Sequence, residues 1–82
     1  MFSRRALKDL DKLRRSSLRD RARELVDLLR RDPFAQPPRF EALVGDLAGA
    51  YSRRINVQHR LVYQVFADHR TVRILSMWTH YE

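Results

Sequence analysis

Tyr51-Ser52-Arg53-Arg54-Ile55 and, after a short polar break, His59-Arg60-Leu61-Val62-Tyr63-Gln64-Val65-Phe66 form the stretch on which the reading of this chain turns. From Tyr51 the pattern has a period of two. Tyr51, Arg53 and Ile55 share one face of an extended segment, and Ser52 and Arg54 share the other. Arg60 to Phe66 is nearly continuous apolar, which predicts a central strand covered on both faces. Arginines set between the core residues of a strand aim charge at an anion, and the forked guanidinium suits carboxylate or phosphate.

On the C-terminal side, Ala67-Asp68-His69-Arg70 reads as a hairpin loop. Thr71 to Tyr81 reads as a last strand, in which Val72, Ile74, Ser76, Trp78 and His80 alternate with Arg73, Leu75, Met77, Thr79 and Tyr81. On the N-terminal side the period becomes helical. Ala6, Leu7, Leu10 and Leu13 recur at three- and four-residue steps within Arg4 to Arg15, behind Ser3 as N-cap. Leu18, Ala22, Leu25, Val26 and Leu29 form the stripe of a second helix ending near Arg31, before Pro33. Ser17-Leu18-Arg19-Asp20 resembles its capping box. Pro33 to Gly49 is a connector in which Pro33, Pro37 and Pro38 forbid regular structure, Gly45 and Gly49 supply turns, and Phe40 to Leu43 is a short extended piece. The expected fold class is α+β: a helical hairpin packed on a small antiparallel sheet of three or four strands, in one domain over residues 1–82.

A chain of 82 residues allows only a small core, so partner binding or dimerisation would help it. With no cysteine, disulfides and thiolate metal sites are excluded. No apolar run reaches the ~18 residues of a membrane span, and Met-Phe-Ser-Arg-Arg is not expected to be a secretory signal, which fits a cytoplasmic protein. Net charge is +7, and fifteen of the seventeen basic residues are arginine. The basic charge lies in residues 1–31 and 51–81, while residues 32–50 carry one basic and three acidic groups. Such a balance attracts polyanions, nucleic acid first and acidic protein second.

Three histidines are present: His59, His69 and His80. No two share a helix face, so neither metal nor cofactor is expected. His69 reads as a solvated turn residue, His59 as structural at a strand start, and His80 as able to reach solvent at a sheet edge. Cutting RNA without a metal needs a base for the 2′-hydroxyl, an acid for the departing 5′-oxygen and a cation on the phosphoryl oxygens. Glutamate, histidine and arginine supply those properties at neutral pH. Glu41, His80 and Arg60 would fill the roles if the fold brings them together. From the residues alone, Glu41 is better read as an ordinary loop acid, and Arg60 can be read as a structural partner of Asp46 or Asp68. Tyr51, Tyr63 and Trp78 read as packing groups rather than base-stacking ones.

Arg31-Asp32-Pro33-Phe34, Phe40-Glu41-Ala42-Leu43, Asp46-Leu47-Ala48-Gly49, Tyr51-Ser52-Arg53-Arg54-Ile55, His59-Arg60-Leu61-Val62-Tyr63 and the ending His80-Tyr81 together resemble the YoeB/Txe toxins of the RelE superfamily. The resemblance implies a RelE-like fold and a metal-independent endoribonuclease that cuts messenger RNA in the ribosomal A site. It implies Glu41 as general base, Arg60 as the brace of the scissile phosphate, His80 as general acid and Tyr81 as a substrate-positioning group, with Arg53 and Arg54 as substrate-binding residues. It also implies a YefM-like antitoxin as partner, the ribosome as platform and a possible homodimer. The family usually opens with a strand, whereas only Met1-Phe2 precedes the polar run here, so that strand is shortened or missing. Phe40 and Val44 depart from the family pattern around Glu41, and Glu82 adds a carboxylate after Tyr81. Two other readings use the same fold without Glu41, Arg60 and His80. One is a non-catalytic binder of nucleic acid or protein, as in gyrase-directed toxins; the other is a module that neutralises an acidic partner.

Overall fold

The end of the helical pattern before Pro33 divides the chain as the sequence predicts. The computed structural model describes the backbone of residues 1–80 and the side chains of residues 1–78. Two helices, α1 (Arg4–Arg14) and α2 (Arg19–Arg31), precede four strands: β1 (Phe40–Ala42), β2 (Ala50–Arg54), β3 (His59–Phe66) and β4 (Thr71–His80). The strands pair antiparallel in chain order, β1-β2-β3-β4. This is the expected α+β arrangement. Among the described residues no helix is long and apolar enough to cross a membrane.

Ser3 caps α1 as expected, its Oγ accepting the Ala6 N–H at 3.1 Å. The shortened first strand is present as a single parallel bridge between Phe2 and Ile74, on the outer edge of β4. Ser3 N–H donates to the Ile74 carbonyl and Ile74 N–H to the Met1 carbonyl, each at 2.8 Å. The capping box expected at Ser17 does not form. Leu18 is the N-cap residue of α2, already in helical conformation and without a side-chain cap bond. The hydroxyl of Ser16 serves instead, accepting the Leu18 N–H at 3.1 Å and donating to the Leu13 carbonyl at 3.0 Å.

The core lies between the helices and one face of the sheet. Ala6 and Leu13 of α1 and Ala22, Leu25 and Leu29 of α2 meet Ile55, Leu61, Tyr63, Ile74 and Met77. The expectation that β3 is covered on both faces is corrected. Alternation puts Arg60, Val62, Gln64 and Phe66 on the face away from the helices; Val62 is buried there, but Phe66 is 42% exposed.

The simple alternation read for β4 also fails. Arg60 opposes Thr79, Val62 opposes Ser76 and Tyr63 opposes Ile74, so β4 gains one residue on β3 at each of two irregularities. Ile74 and Met77 therefore both reach the core, which strict alternation forbids. Helix α1 serves both irregularities. Ser3 Oγ donates to the Leu75 carbonyl at 2.7 Å. Asp9 Oδ2 accepts the N–H groups of Met77 at 2.9 Å and Trp78 at 3.2 Å. Asp9 is buried, whereas Leu7, counted in the apolar stripe, is 53% exposed.

Candidate active site

The register of three strands builds the site. Glu41 of β1 opposes Ser52 of β2, which opposes Val62 of β3. Arg60 stands two residues before Val62, on the same face. From there Arg60 Nη1 reaches diagonally to Ser52 Oγ at 3.2 Å and Glu41 Oε2 at 3.4 Å. Arg60 thus pairs with Glu41, not with Asp46 or Asp68. Side-chain exposure is 18% for Arg60 and 51% for Glu41, so the cation is braced by the sheet while the carboxylate is open to a substrate. A half-exposed pair of this kind contributes about 0–1 kcal/mol to stability.

The turn between β2 and β3 fixes where Arg60 begins. Asn56 Oδ1 accepts the N–H groups of Gln58 at 2.9 Å and His59 at 2.7 Å. The Ile55 N–H closes the turn on the His59 carbonyl at 2.9 Å. His59 is buried, and its ring stacks on Trp78 with centroids 4.0 Å apart. It is a packed residue beside the site, as its position at a strand start suggested. His69 lies exposed in the β3–β4 turn.

Backbone register puts His80 opposite His59, one pair along from Arg60 and Thr79. The His80 side chain, Tyr81 and Glu82 lie outside the described residues. Arg54 is exposed at the end of β2 and opposes Arg60, so three sequence-named residues, Glu41, Arg60 and Arg54, share one sheet face. This face is open. The concavity of about 410 Å³ bordered by Phe2, Phe66, His69 and Arg73 lies at the far end of β3 from Arg60.

Arg53 differs from the expectation that it meets substrate. It is 0% exposed and faces the connector. Its Nε donates to Tyr63 Oη at 3.0 Å, its Nη1 to the carbonyls of Ala35 at 2.7 Å and Pro38 at 2.6 Å, and its Nη2 to that of Pro33 at 2.8 Å. The Phe40 ring lies 5.0 Å from the guanidinium carbon. The physical reason is the proline-rich connector, whose carbonyls lie outside any helix or sheet ladder and need donors when covered. Arginine supplies five donors in one plane. Its role is to hold the connector that leads into β1, and so to hold Glu41 in register.

Tyr63 completes this clamp, its Oη donating to the Pro33 carbonyl at 3.0 Å. Burial pushes its phenol above the ordinary tyrosine range, while the Arg53 hydrogen bond and charge pull the other way and do not prevail. Below the ordinary tyrosine value both folded and unfolded chains carry the neutral phenol, and the stabilisation is fully present. Above it the unfolded chain ionises first, so stability falls as pH rises through the folded value. An alkaline absorbance titration should therefore show one tyrosine ionising late, and Tyr63→Phe should remove that late component.

A family model described as YoeB-like toxin of bacterial type II toxin–antitoxin systems matches residues 2–81. The toxin YoeB of Synechocystis sp. is 45% identical over 58 residues, covering 71% of this chain and 65% of that toxin, so the matched stretch spans just under two thirds of the relative's length. The structure of a YoeB/ParE toxin from Agrobacterium tumefaciens superposes with a TM-score of 0.89 at 29% identity, covering 99% of this chain and 96% of that one. A toxin chain from a Staphylococcus aureus YoeB–YefM complex superposes with a TM-score of 0.84 at 32% identity, covering 99% of this chain and 94% of its own. The structure of a YoeB dimer from S. aureus superposes with a TM-score of 0.83 at 32% identity, covering 99% of this chain and 94% of that one.

Proposed function

The chain belongs to the YoeB-like toxins of bacterial type II toxin–antitoxin systems, and from that premise we propose that it is an endoribonuclease that cuts messenger RNA in the ribosomal A site without a metal. The observation that carries this reading is the 3.4 Å contact between Arg60 and the half-exposed Glu41 on one strand face. A base and a fixed cation that touch one another can touch one phosphodiester.

Glu41 removes the proton of a 2′-hydroxyl, and that oxygen attacks the adjacent phosphorus. The bond from phosphorus to the 5′-oxygen breaks, and the leaving oxygen takes a proton from His80. Arg60 faces the non-bridging oxygens as charge builds on them. The products are a 2′,3′-cyclic phosphate and a free 5′-hydroxyl. Tyr81 positions the nucleotide, and Arg54 contacts a neighbouring phosphate. Arg53 acts only by holding the connector.

The exposed arginines of α1 and α2 face ribosomal RNA, and the work is done in the cytoplasm. A YefM-like antitoxin blocks the toxin, supported by the S. aureus complex and by the net charge of +7, which favours an acidic partner. A homodimer is supported by the S. aureus dimer.

Expression of Glu41→Ala, Arg60→Ala and His80→Ala variants tests the assignment. Each should relieve growth arrest while circular dichroism shows the parent fold. If all three stay as toxic as the parent, the nuclease reading is wrong and a non-catalytic binder takes its place.

A further inference from the structure

Arg60 stands on β3 directly opposite Arg54 of β2, a cation facing a cation. Like charges across a ladder repel, so the direction of the Arg60 guanidinium has to be set by its other neighbours. We propose that Ser52 is a positioning residue: its buried hydroxyl accepts a hydrogen bond from Arg60 Nη1 and so aims the guanidinium beside Glu41, at the place where a phosphodiester is cut.

The two acceptors around Nη1 are unequal. Ser52 Oγ lies at 3.2 Å, inside the usual range of an N–H···O hydrogen bond, whereas Glu41 Oε2 lies at 3.4 Å, beyond it. Ser52 is 1% exposed, against 51% for the Glu41 side chain. Water and salt therefore weaken the carboxylate contact far more than the hydroxyl one. Register puts the serine where it is needed. Ser52 sits between Glu41 on β1 and Val62 on β3, on the face of Arg60, and the Val62 side chain offers no acceptor.

The chemistry needs a holder of this kind. As Glu41 takes the 2′-hydroxyl proton its charge is cancelled, and its pull on Arg60 fades just as charge builds on the phosphoryl oxygens. The serine hydroxyl is the same dipole before and after that step. Being neutral, it also leaves the guanidinium charge to the phosphate, whereas a second carboxylate in its place would offset it. The catalytic consequence rests on the nuclease reading; the hold on Arg60 does not.

Ser52→Ala removes the acceptor and little volume. The kcat for cleavage of ribosome-bound messenger should fall by about 10- to 10²-fold, the scale of a misplaced catalytic group, with KM little changed. Added to Arg60→Ala, the same substitution should cost almost nothing further, because no guanidinium is left to aim. A serine that merely packs the sheet, or that places Glu41, would cost as much in that background as in the parent. That equal cost, or full kcat in Ser52→Ala beside a crippled Arg60→Ala, would overturn the proposal and leave the nuclease reading standing. A readout without RNA decides independently. In guanidinium NMR spectra, rotation of the Arg60 head group about its Cζ–N bonds should be about tenfold or more faster in Ser52→Ala than in the parent, as expected on losing a hydrogen bond to a charged group. Unchanged rotation would overturn the proposal whether or not messenger is cut. If Ser52→Ala does not fold, Ser52→Cys keeps the volume with only a weak sulfur acceptor, and the same rotation, rates and double variant decide there.

Discussion

Replacing Arg53 by alanine should remove a third or more of the stability of the fold. The substitution withdraws the donors from the part-buried carbonyls of Pro33, Ala35 and Pro38 and from the buried Tyr63 hydroxyl. Each buried acceptor left without a partner costs about 1–3 kcal/mol. The vacated volume beside Phe40 and Tyr63 adds a cavity cost. A loss on the order of 4 kcal/mol or more is expected, against roughly 4–12 kcal/mol for a chain of this length at ~0.05–0.15 kcal/mol per residue. Lysine does not substitute, since a single ammonium cannot span carbonyls on three residues and a phenol at once. Arg54→Ala, one residue along and exposed, should change stability by no more than about 0.5 kcal/mol. Urea denaturation of the two variants makes the comparison. An Arg53→Ala midpoint equal to that of Arg54→Ala would show that the clamp is not what holds the connector.

The second large effect is on rate. Arg60→Ala should lower kcat for messenger cleavage by about 10²–10³-fold, the loss seen when one fixed donor to a developing oxyanion is removed. The guanidinium is worth most in the transition state, where charge on the phosphoryl oxygens is greatest, so kcat should fall more than KM rises. Stability should change by about 1 kcal/mol or less, because the Glu41 carboxylate of the lost pair is half exposed. Arg60→Lys should recover only part of the rate, since Lys keeps the charge but not the further guanidinium donors that can meet phosphate while Nη1 holds Ser52 and Glu41. A collapse in stability would instead mark Arg60 as a strut of the sheet.

The contrast between Arg53 and Arg60 shows where the sequence was readable. Period alone located α1, α2 and the strands, and the Ser3 cap followed from its place before an amphipathic run. The period-two face of Tyr51, Arg53 and Ile55 already grouped Arg53 with core residues, and three nearby prolines announced carbonyls in need of donors. Reading arginine as a phosphate ligand overrode that signal. The meeting of Glu41 with Arg60 was beyond spacing, because it depends on the β1–β2 and β2–β3 registers together. Asp9 was hidden for a related reason. Its partners are backbone groups freed by an irregularity in β4, and irregularities leave no periodic trace in sequence. The apolar run of β3 suggested two covered faces, yet Val62 on the far face is buried without a second helical layer. At the second helix, Ser16 rather than Ser17 took the capping hydrogen bond because Leu18 is already helical.

Product ends test the central claim most directly. Ribosomes carrying a defined messenger are treated with the toxin, and the termini of the fragments are identified. The account predicts a 2′,3′-cyclic phosphate or its 3′-phosphate on one fragment and a 5′-hydroxyl on the other, with both lost in Glu41→Gln. Fragments ending in 3′-hydroxyl and 5′-phosphate would contradict it.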